Sequence, residues 1–332
     1  MPDIDTMAEV AKQGGLVPKR RRKPPRVPRQ RIPRTLQARY YSKIYRLLKP
    51  ARDLVKAKLF PVLPSIATSA GLVPGRADAA AWLDRLDRTM GEVQEAYGQL
   101  VTDDDVETVA AELPVMVERW QRAEGNKVFR SLIGIDVFES TEGLAEVMEV
   151  ATRENVALIK SISTEYFGEI EKIVMRNVRA GVRAENFASE VEAASRGQWK
   201  KGINRAKLIA RDQTNKAYGD INRVRQTQMG VTSYIWRTSQ DERVRESHLD
   251  LEGLSFTWEK GSDEGHPGQP IQCRCTAEPD LSHLGKDFAP EDTGEEYNKR
   301  VRTEVKAKLK KAEKGGYLAA WKKAELRKQE KE

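Results

Sequence analysis

Residues 203–238 read INRAKLIARDQTNKAYGDINRVRQTQMGVTSYIWRT, and within them the chain changes from a helical to an extended pattern. In the first part, small and apolar residues recur every three or four positions, which predicts an amphipathic helix ending at Gly230. From Tyr234 to Thr238 the residues alternate between two sides, which predicts a strand. The stretch therefore indicates an α+β protein that is mainly α-helical.

Helical spacing continues upstream of this stretch, and strand patterns continue downstream. Upstream, the spacing predicts helices with breaks near residues 161–163 and between 194 and 203. Downstream, residues 254–258 and 271–276 predict two further strands between Gly- and Pro-rich loops. The predicted organisation is a basic, disordered Pro/Arg-rich tail (1–52), a linker (53–77), a helical domain (78–230), a small β-rich Cys/His module (231–282) and a charged, Lys-rich helical C-terminal tail (283–332).

The composition of the 332 residues excludes several classes of protein. With 39% hydrophobic and 33% charged residues the chain can bury a core, so wholesale disorder is not expected. No run reaches the roughly 18–20 apolar residues that a membrane span needs, and the first residues lack the pattern of a signal peptide. Two cysteines cannot build a disulfide framework, which favours a reducing compartment.

Positive charge is concentrated near the start of the chain. Residues 10–52 contain 15 Lys/Arg and no Asp or Glu, and five prolines between 18 and 33 disfavour helix there. A flexible polycation binds phosphate backbones without sequence preference, so we expect nucleic acid as a partner; a solubility tail or a sorting signal is the alternative. The predicted nucleic-acid contacts are Lys19, Arg20, Arg21, Arg22, Lys23, Arg26, Arg29, Arg31 and Arg34.

The histidines and cysteines form a second concentration. All three histidines and both cysteines fall between His248 and His283. On a strand, Cys273 and Cys275 would point to the same face, as two thiolates sharing one metal ion require. His248 and His266 would complete a Cys₂His₂ set, so zinc is the expected cofactor. The alternative is that the thiols are simply buried and the histidines belong to hydrogen-bond networks.

A catalytic interpretation of the same region competes with the structural one. Arg243, Arg245, His248, Asp250 and His266 could imitate a metal-dependent nuclease site. A Cys273–His266 nucleophile pair has no third residue to orient it, and the chain contains no HExxH, GxSxG, Walker A or GxGxxG motif. We therefore expect a protein that is not an enzyme.

Two strings carry a family resemblance. YIWRTSQDERVRESH at 234–248 and GHPGQPIQCRC at 265–275 resemble the phage head morphogenesis family typified by the phage Mu protein F-like minor head proteins. NVALIKSI at 155–162 and RAKLIARDQT at 205–214 are also similar, so the resemblance spans roughly 140–280.

The resemblance implies a structural minor capsid protein of a tailed phage or prophage. Such a protein would take part in procapsid assembly and would associate with the portal, the major capsid protein and packaged DNA. It would lie inside the virion head, pass through the host cytoplasm during assembly and have no membrane partner. A DNA-processing enzyme, or a module related to those fused to toxins, remains the alternative.

Overall fold

The computed structural model describes residues 3–14, 27–71, 79–139, 143–285, 288, 299–305 and 307. Its described part is mostly helical with one small antiparallel sheet, which confirms the predicted fold class. The helices are α1 (Ile4–Gln13), α2 (Arg34–Leu54), α3 (Leu63–Ser69), α4 (Ala79–Leu100), α5 (Asp103–Ile133), α6 (Ala145–Arg179), α7 (Ala184–Gln228) and α8 (Glu246–Asp250). The strands are β1 (Ser233–Arg237), β2 (Ser255–Thr257) and β3 (Thr276–Pro279).

The chain folds into two compact units. The helical unit comprises Pro33–Val117 and Glu146–Thr214, and the sheet unit comprises Met1–Ile32, Glu118–Ala145 and Asn215–Glu332. The boundaries follow packing rather than chain order, so they differ from the predicted succession of segments. Within the described residues, no helix is both long enough and apolar enough to cross a membrane.

The helical unit absorbs much of the predicted tail and linker. α2 continues through a π-helical turn (Val55–Leu59) and a 3₁₀ turn (Phe60–Val62) into α3. This stretch is helical because it carries a row of apolar residues spaced by three or four positions, which is buried against α4, α6 and α7. The burial of this row outweighs the tendency of Pro50 and Pro61 to interrupt a helix. The buried residues of this row are Tyr40, Ile44, Leu48, Ala51, Val55, Leu59, Leu63 and Ile66. Residues 34–69 are therefore neither an extended tail nor a linker.

The long helices of this unit lack the predicted breaks. α6 runs through Ser161 and Ser163 because their hydroxyls donate to the carbonyls of Leu158 and Lys160 one turn earlier, inside the helix. α7 joins the two segments that were predicted as separate helices into 45 residues. A buried polar chain links three helices: Tyr40 Oη donates to Asn155 Oδ1 at 2.8 Å, and Asn155 Nδ2 donates to Gln213 Oε1 at 3.3 Å.

The sheet unit is built around three short strands in the order β2-β1-β3, all antiparallel. Tyr234 pairs with Phe256 on one side and with Pro279 on the other. α1 joins this unit, since its buried Ile4 and Ala8 pack in one cluster with Phe129 and Val231 and the Ile4 N–H donates to Met229 O at 2.7 Å. The start of the chain is therefore helical at 4–13, whereas Lys19 to Arg26 lie outside the described residues.

The end of α7 is fastened to the sheet by polar side chains. Asn222 Nδ2 and Gln226 Nε2 both donate to Ala277 O on β3, at 2.7 and 3.0 Å. The buried Arg225 between them in sequence binds α5, with its Nη2 at 2.5 Å from Glu118 Oε1. Burial lowers the Arg225 pKa, while the hydrogen bond and the charge of Glu118 oppose that effect.

Replacing Arg225 by methionine is expected to destabilise the protein by about 3 kcal/mol, because the buried Glu118 carboxylate would lose its closer partner and keep the more distant Arg122, 3.6 Å away. Arg223→Met is the matched control, since Arg223 is exposed two positions earlier on α7. Urea unfolding followed by circular dichroism measures both changes. Equal effects of the two substitutions would show that the buried pair is not a stability determinant.

Candidate metal centre

Two glycines allow the loop before the cysteines to lie directly on α7. A Cβ on Gly219 would stand 2.6 Å from Pro267 O, and a Cβ on Gly268 would stand 2.9 Å from Asn215 O. Gly268 also has a φ of +96°, which disfavours a side chain whatever the space. The contact therefore requires glycine on both sides, and it fixes the loop 265–270 against the helix.

This loop leads into a tight turn that carries Cys273, and Cys275 follows just before β3. The Cys273 N–H donates to Pro270 O at 2.9 Å, and Gln272 has a φ of +58° in the left-handed region. The predicted strand over 271–276 is therefore wrong, because the turn occupies 270–273 and the strand starts at Thr276. Sγ of Cys273 accepts the backbone N–H groups of Gly268 and Cys275, each at 3.4 Å.

α8 brings His248 onto the same turn. The Arg274 guanidinium binds both carboxylate oxygens of Asp241, and Arg245 Nη2 donates to Ile271 O, so the segment leading into α8 is held against the cysteine turn. On its other side α8 is covered by the segment 299–305, where Val301 and Val305 pack on Leu249. His248 is thereby buried in spite of its polar ring.

The three ligating atoms lie close together. Nδ1 of His248 is 3.6 Å from Sγ of Cys273 and 3.4 Å from Sγ of Cys275. All three atoms lie within 4.8 Å of one another, and all three residues are buried. A soft donor set of two sulfurs and one imidazole nitrogen suits Zn²⁺.

The two thiols are not equivalent. The pKa of Cys273 is lowered to about 5, chiefly by a hydrogen bond from the Cys275 thiol, with burial opposing the shift and hydrogen bonds from His248, Gly268 and Cys275 adding to it. The pKa of Cys275 is raised well above its ordinary value by the same thiol–thiol hydrogen bond and by burial. Of the two thiols, Cys273 is therefore the one that loses its proton more readily.

The far side of the His248 ring faces a carboxylate. Nε2 of His248 lies 3.4 Å from Oε2 of Glu264, and no closer polar partner meets this nitrogen among the described residues. The ring also meets the edge of Trp236, with centroids 5.3 Å apart. Sequence reasoning missed Glu264, because no motif marks it and its place beside His248 depends on the fold of the loop.

His266 lies outside this group. Its Nδ1 is 3.0 Å from Tyr234 Oη, and its ring packs against Trp258 with centroids 5.2 Å apart. Burial lowers the His266 pKa, with a further contribution from the charge of Arg223. Of the four predicted metal ligands, the structure brings together His248, Cys273 and Cys275 and places His266 in an aromatic cluster.

The other predicted site residues are dispersed. Arg29, Arg31 and Arg34 are exposed, and Trp120 Nε1 donates to the backbone of Arg31 at 2.8 Å. Of the proposed nuclease set, Asp250 pairs with Arg302, and Arg245 is used against the backbone of Ile271. The third histidine, His283, is exposed and lies 3.3 Å from Asp5.

Comparison with known proteins finds a family match for one segment of the chain. Residues 168–278 match the family described as "Phage Mu protein F like protein", and this segment includes the last third of α6, all of α7, the sheet up to Glu278 and the His/Cys group. The resemblance seen in the sequence is thereby confirmed over this segment. The match supports a phage head morphogenesis protein.

One relative is a Haemophilus influenzae protein that carries the name "Uncharacterized protein". It is 28% identical over 200 residues, which make up 59% of this chain and 44% of the relative. The chain thus aligns with less than half the length of this relative. No solved structure matches the chain.

Gly219→Ala is expected to destabilise the protein although alanine favours helix, because the new methyl group would collide with Pro267 O and displace the loop beneath Cys273. Gly197→Ala on the same helix is the matched control, since a methyl group added there would meet nothing within 4 Å. The control should gain about 0.5–1 kcal/mol. Thermal unfolding measures both, and a gain in stability for Gly219→Ala would contradict the packing of the loop on α7.

Proposed function

We propose that this protein is a structural minor component of a tailed-phage or prophage head, incorporated during procapsid assembly and in contact with packaged DNA. The observation that carries the proposal is the family match over 168–278, because the matched segment contains the sheet up to Glu278 and the His/Cys group. The dispersal of Arg245 and Asp250 onto other partners supports a structural rather than a catalytic role. We place the protein inside the head, with the portal and the major capsid protein as its protein partners.

The DNA contact is proposed for the basic segment 19–34. Its described members Arg29, Arg31 and Arg34 are exposed, and α2 carries further exposed cations at Arg39 and Arg46. Cations on neighbouring turns neutralise successive phosphates and release counterions, so binding would be blind to sequence and sensitive to salt. Deleting residues 1–52 is not a suitable test of this contact, because the deletion would also remove buried residues of α1 and α2 from the hydrophobic cores.

Replacing Arg20, Arg21, Arg22 and Lys23 by glutamine is expected to weaken binding to random duplex DNA. The slope of log K against log salt should become shallower by about 0.9 for each phosphate that is no longer neutralised. Fluorescence anisotropy at several salt concentrations measures the affinity and the slope.

The matched control for this variant replaces four exposed cations of the helical unit by glutamine. These are Lys172, Arg176, Arg179 and Arg183, of which three lie within 4 Å of Glu169 or Glu185. Equal losses of affinity in the two variants would argue against a dedicated DNA-binding segment.

Incorporation into heads is tested with particles of the phage or prophage that encodes the chain. Mass spectrometry of purified procapsids and filled heads should find the protein in both, at a low number of copies. A protein that stays free in the lysate while heads assemble and fill normally would contradict the proposal. Cross-linking of the procapsids then identifies whether the portal or the major capsid protein is the neighbour.

A further inference from the structure

We propose that His248, Cys273 and Cys275 bind one Zn²⁺ ion through Nδ1 and the two Sγ atoms, with Glu264 as the residue that orients the histidine. This inference goes beyond the head function and does not rest on it. It replaces the four-residue set expected from the sequence by three ligands and a supporting carboxylate.

The distances fit a tetrahedral ion. With zinc–sulfur bonds of about 2.3 Å and a zinc–nitrogen bond of about 2.0–2.1 Å, a nitrogen and a sulfur on one tetrahedral ion lie about 3.5 Å apart. The separations of 3.6 and 3.4 Å from His248 Nδ1 to the two sulfurs bracket that value. Both nitrogen–sulfur separations therefore match those of a tetrahedral zinc site.

The directions of the hydrogen bonds favour a cation over packing alone. In either neutral tautomer Nδ1 offers one lone pair or one N–H group, yet two sulfurs converge on that nitrogen. At most one sulfur can form a full hydrogen bond with it, whereas a metal ion accepts a lone pair from all three atoms. The N–H groups of Gly268 and Cys275 that point at Cys273 Sγ are the donors that a metal-bound thiolate needs.

The far side of the histidine supplies the supporting contact. Metal-bound histidines commonly donate their other N–H to a carboxylate, which fixes the ring and its tautomer. Nε2 of His248 has no hydrogen-bond partner among the described residues, and Oε2 of Glu264 lies 3.4 Å from it, so a small rotation of this carboxylate would let it accept the N–H. Glu264 is a positioning residue, because the carboxylate faces the nitrogen opposite to the one that binds the ion.

The fourth ligand is an oxygen or nitrogen donor, because the chain has two cysteines and both already belong to the group. The ion would join α8, the cysteine turn and the start of β3, three pieces that have few apolar residues of their own. A structural role of this kind stabilises the folded state by the free energy of metal binding.

The test begins with the untagged full chain, prepared without metal under reducing conditions and then given Zn²⁺ or Co²⁺. We expect one zinc per chain by elemental analysis. With Co²⁺ we expect tetrahedral visible bands and a thiolate charge-transfer band of the strength given by two sulfurs. Titrating the wild-type zinc protein with a mercurial thiol reagent should release the ion as two thiols react, and this measurement needs no variant.

Variants then assign the ligands. Cys273→Ser, Cys275→Ser and His248→Ala should each lose stoichiometric zinc, and Glu264→Gln should weaken zinc binding about 10–100-fold. His266→Ala is the matched control, a histidine in the adjoining loop that should keep one zinc per chain. A wild-type chain that binds no zinc overturns the proposal, and loss of zinc in His266→Ala equal to that in His248→Ala overturns the three-ligand assignment.

Discussion

The close approach of Gly219 on α7 to Gly268 in the loop is the constraint on which the candidate metal centre depends. A side chain at either position would push the loop from the helix, because its Cβ would fall within 3 Å of a backbone oxygen. With the loop in this position, the Gly268 N–H donates to Cys273 Sγ. The turn at 270–273 then places Cys273, and Cys275 directly after the turn, beside His248. The position of the two cysteines beside His248 therefore depends on this backbone contact.

The sheet itself is too small to stand alone, since three strands of three to five residues bury little apolar surface. It is held instead by the polar end of α7, where Asn222 and Gln226 bind one carbonyl of β3 and Arg225 binds Glu118. Each of these groups is buried, so removing its partner costs much more than it would for an exposed pair. A rigid module fastened to one long helix fits a structural component of a head, because assembly requires surfaces that keep their shape.

The sequence correctly predicted the fold class, the end of α7 just before Gly230 and the first two strands, because these features follow from local periodicity. It was misleading for residues 34–69, where charge and proline suggested an extended tail while Tyr40, Ile44 and Leu48 had the spacing of a buried helical face. The sequence identified His248, Cys273 and Cys275 but also included His266, because His266 lies close to them along the chain. Only the fold shows that the His266 ring contacts Tyr234 and Trp258 instead. Glu264 was missed because its role depends on the fold of the loop and has no motif.

The most direct test of the proposed centre is zinc K-edge X-ray absorption on the zinc-loaded full chain. Fitting of the first coordination shell gives the number and distance of the sulfur ligands without any substitution in the protein. We predict two sulfurs at about 2.3 Å and two lighter ligands at about 2.0–2.2 Å, with the scattering pattern of one imidazole. A shell of nitrogen and oxygen ligands alone would contradict binding by Cys273 and Cys275, and two imidazoles beside the two sulfurs would contradict the exclusion of His266.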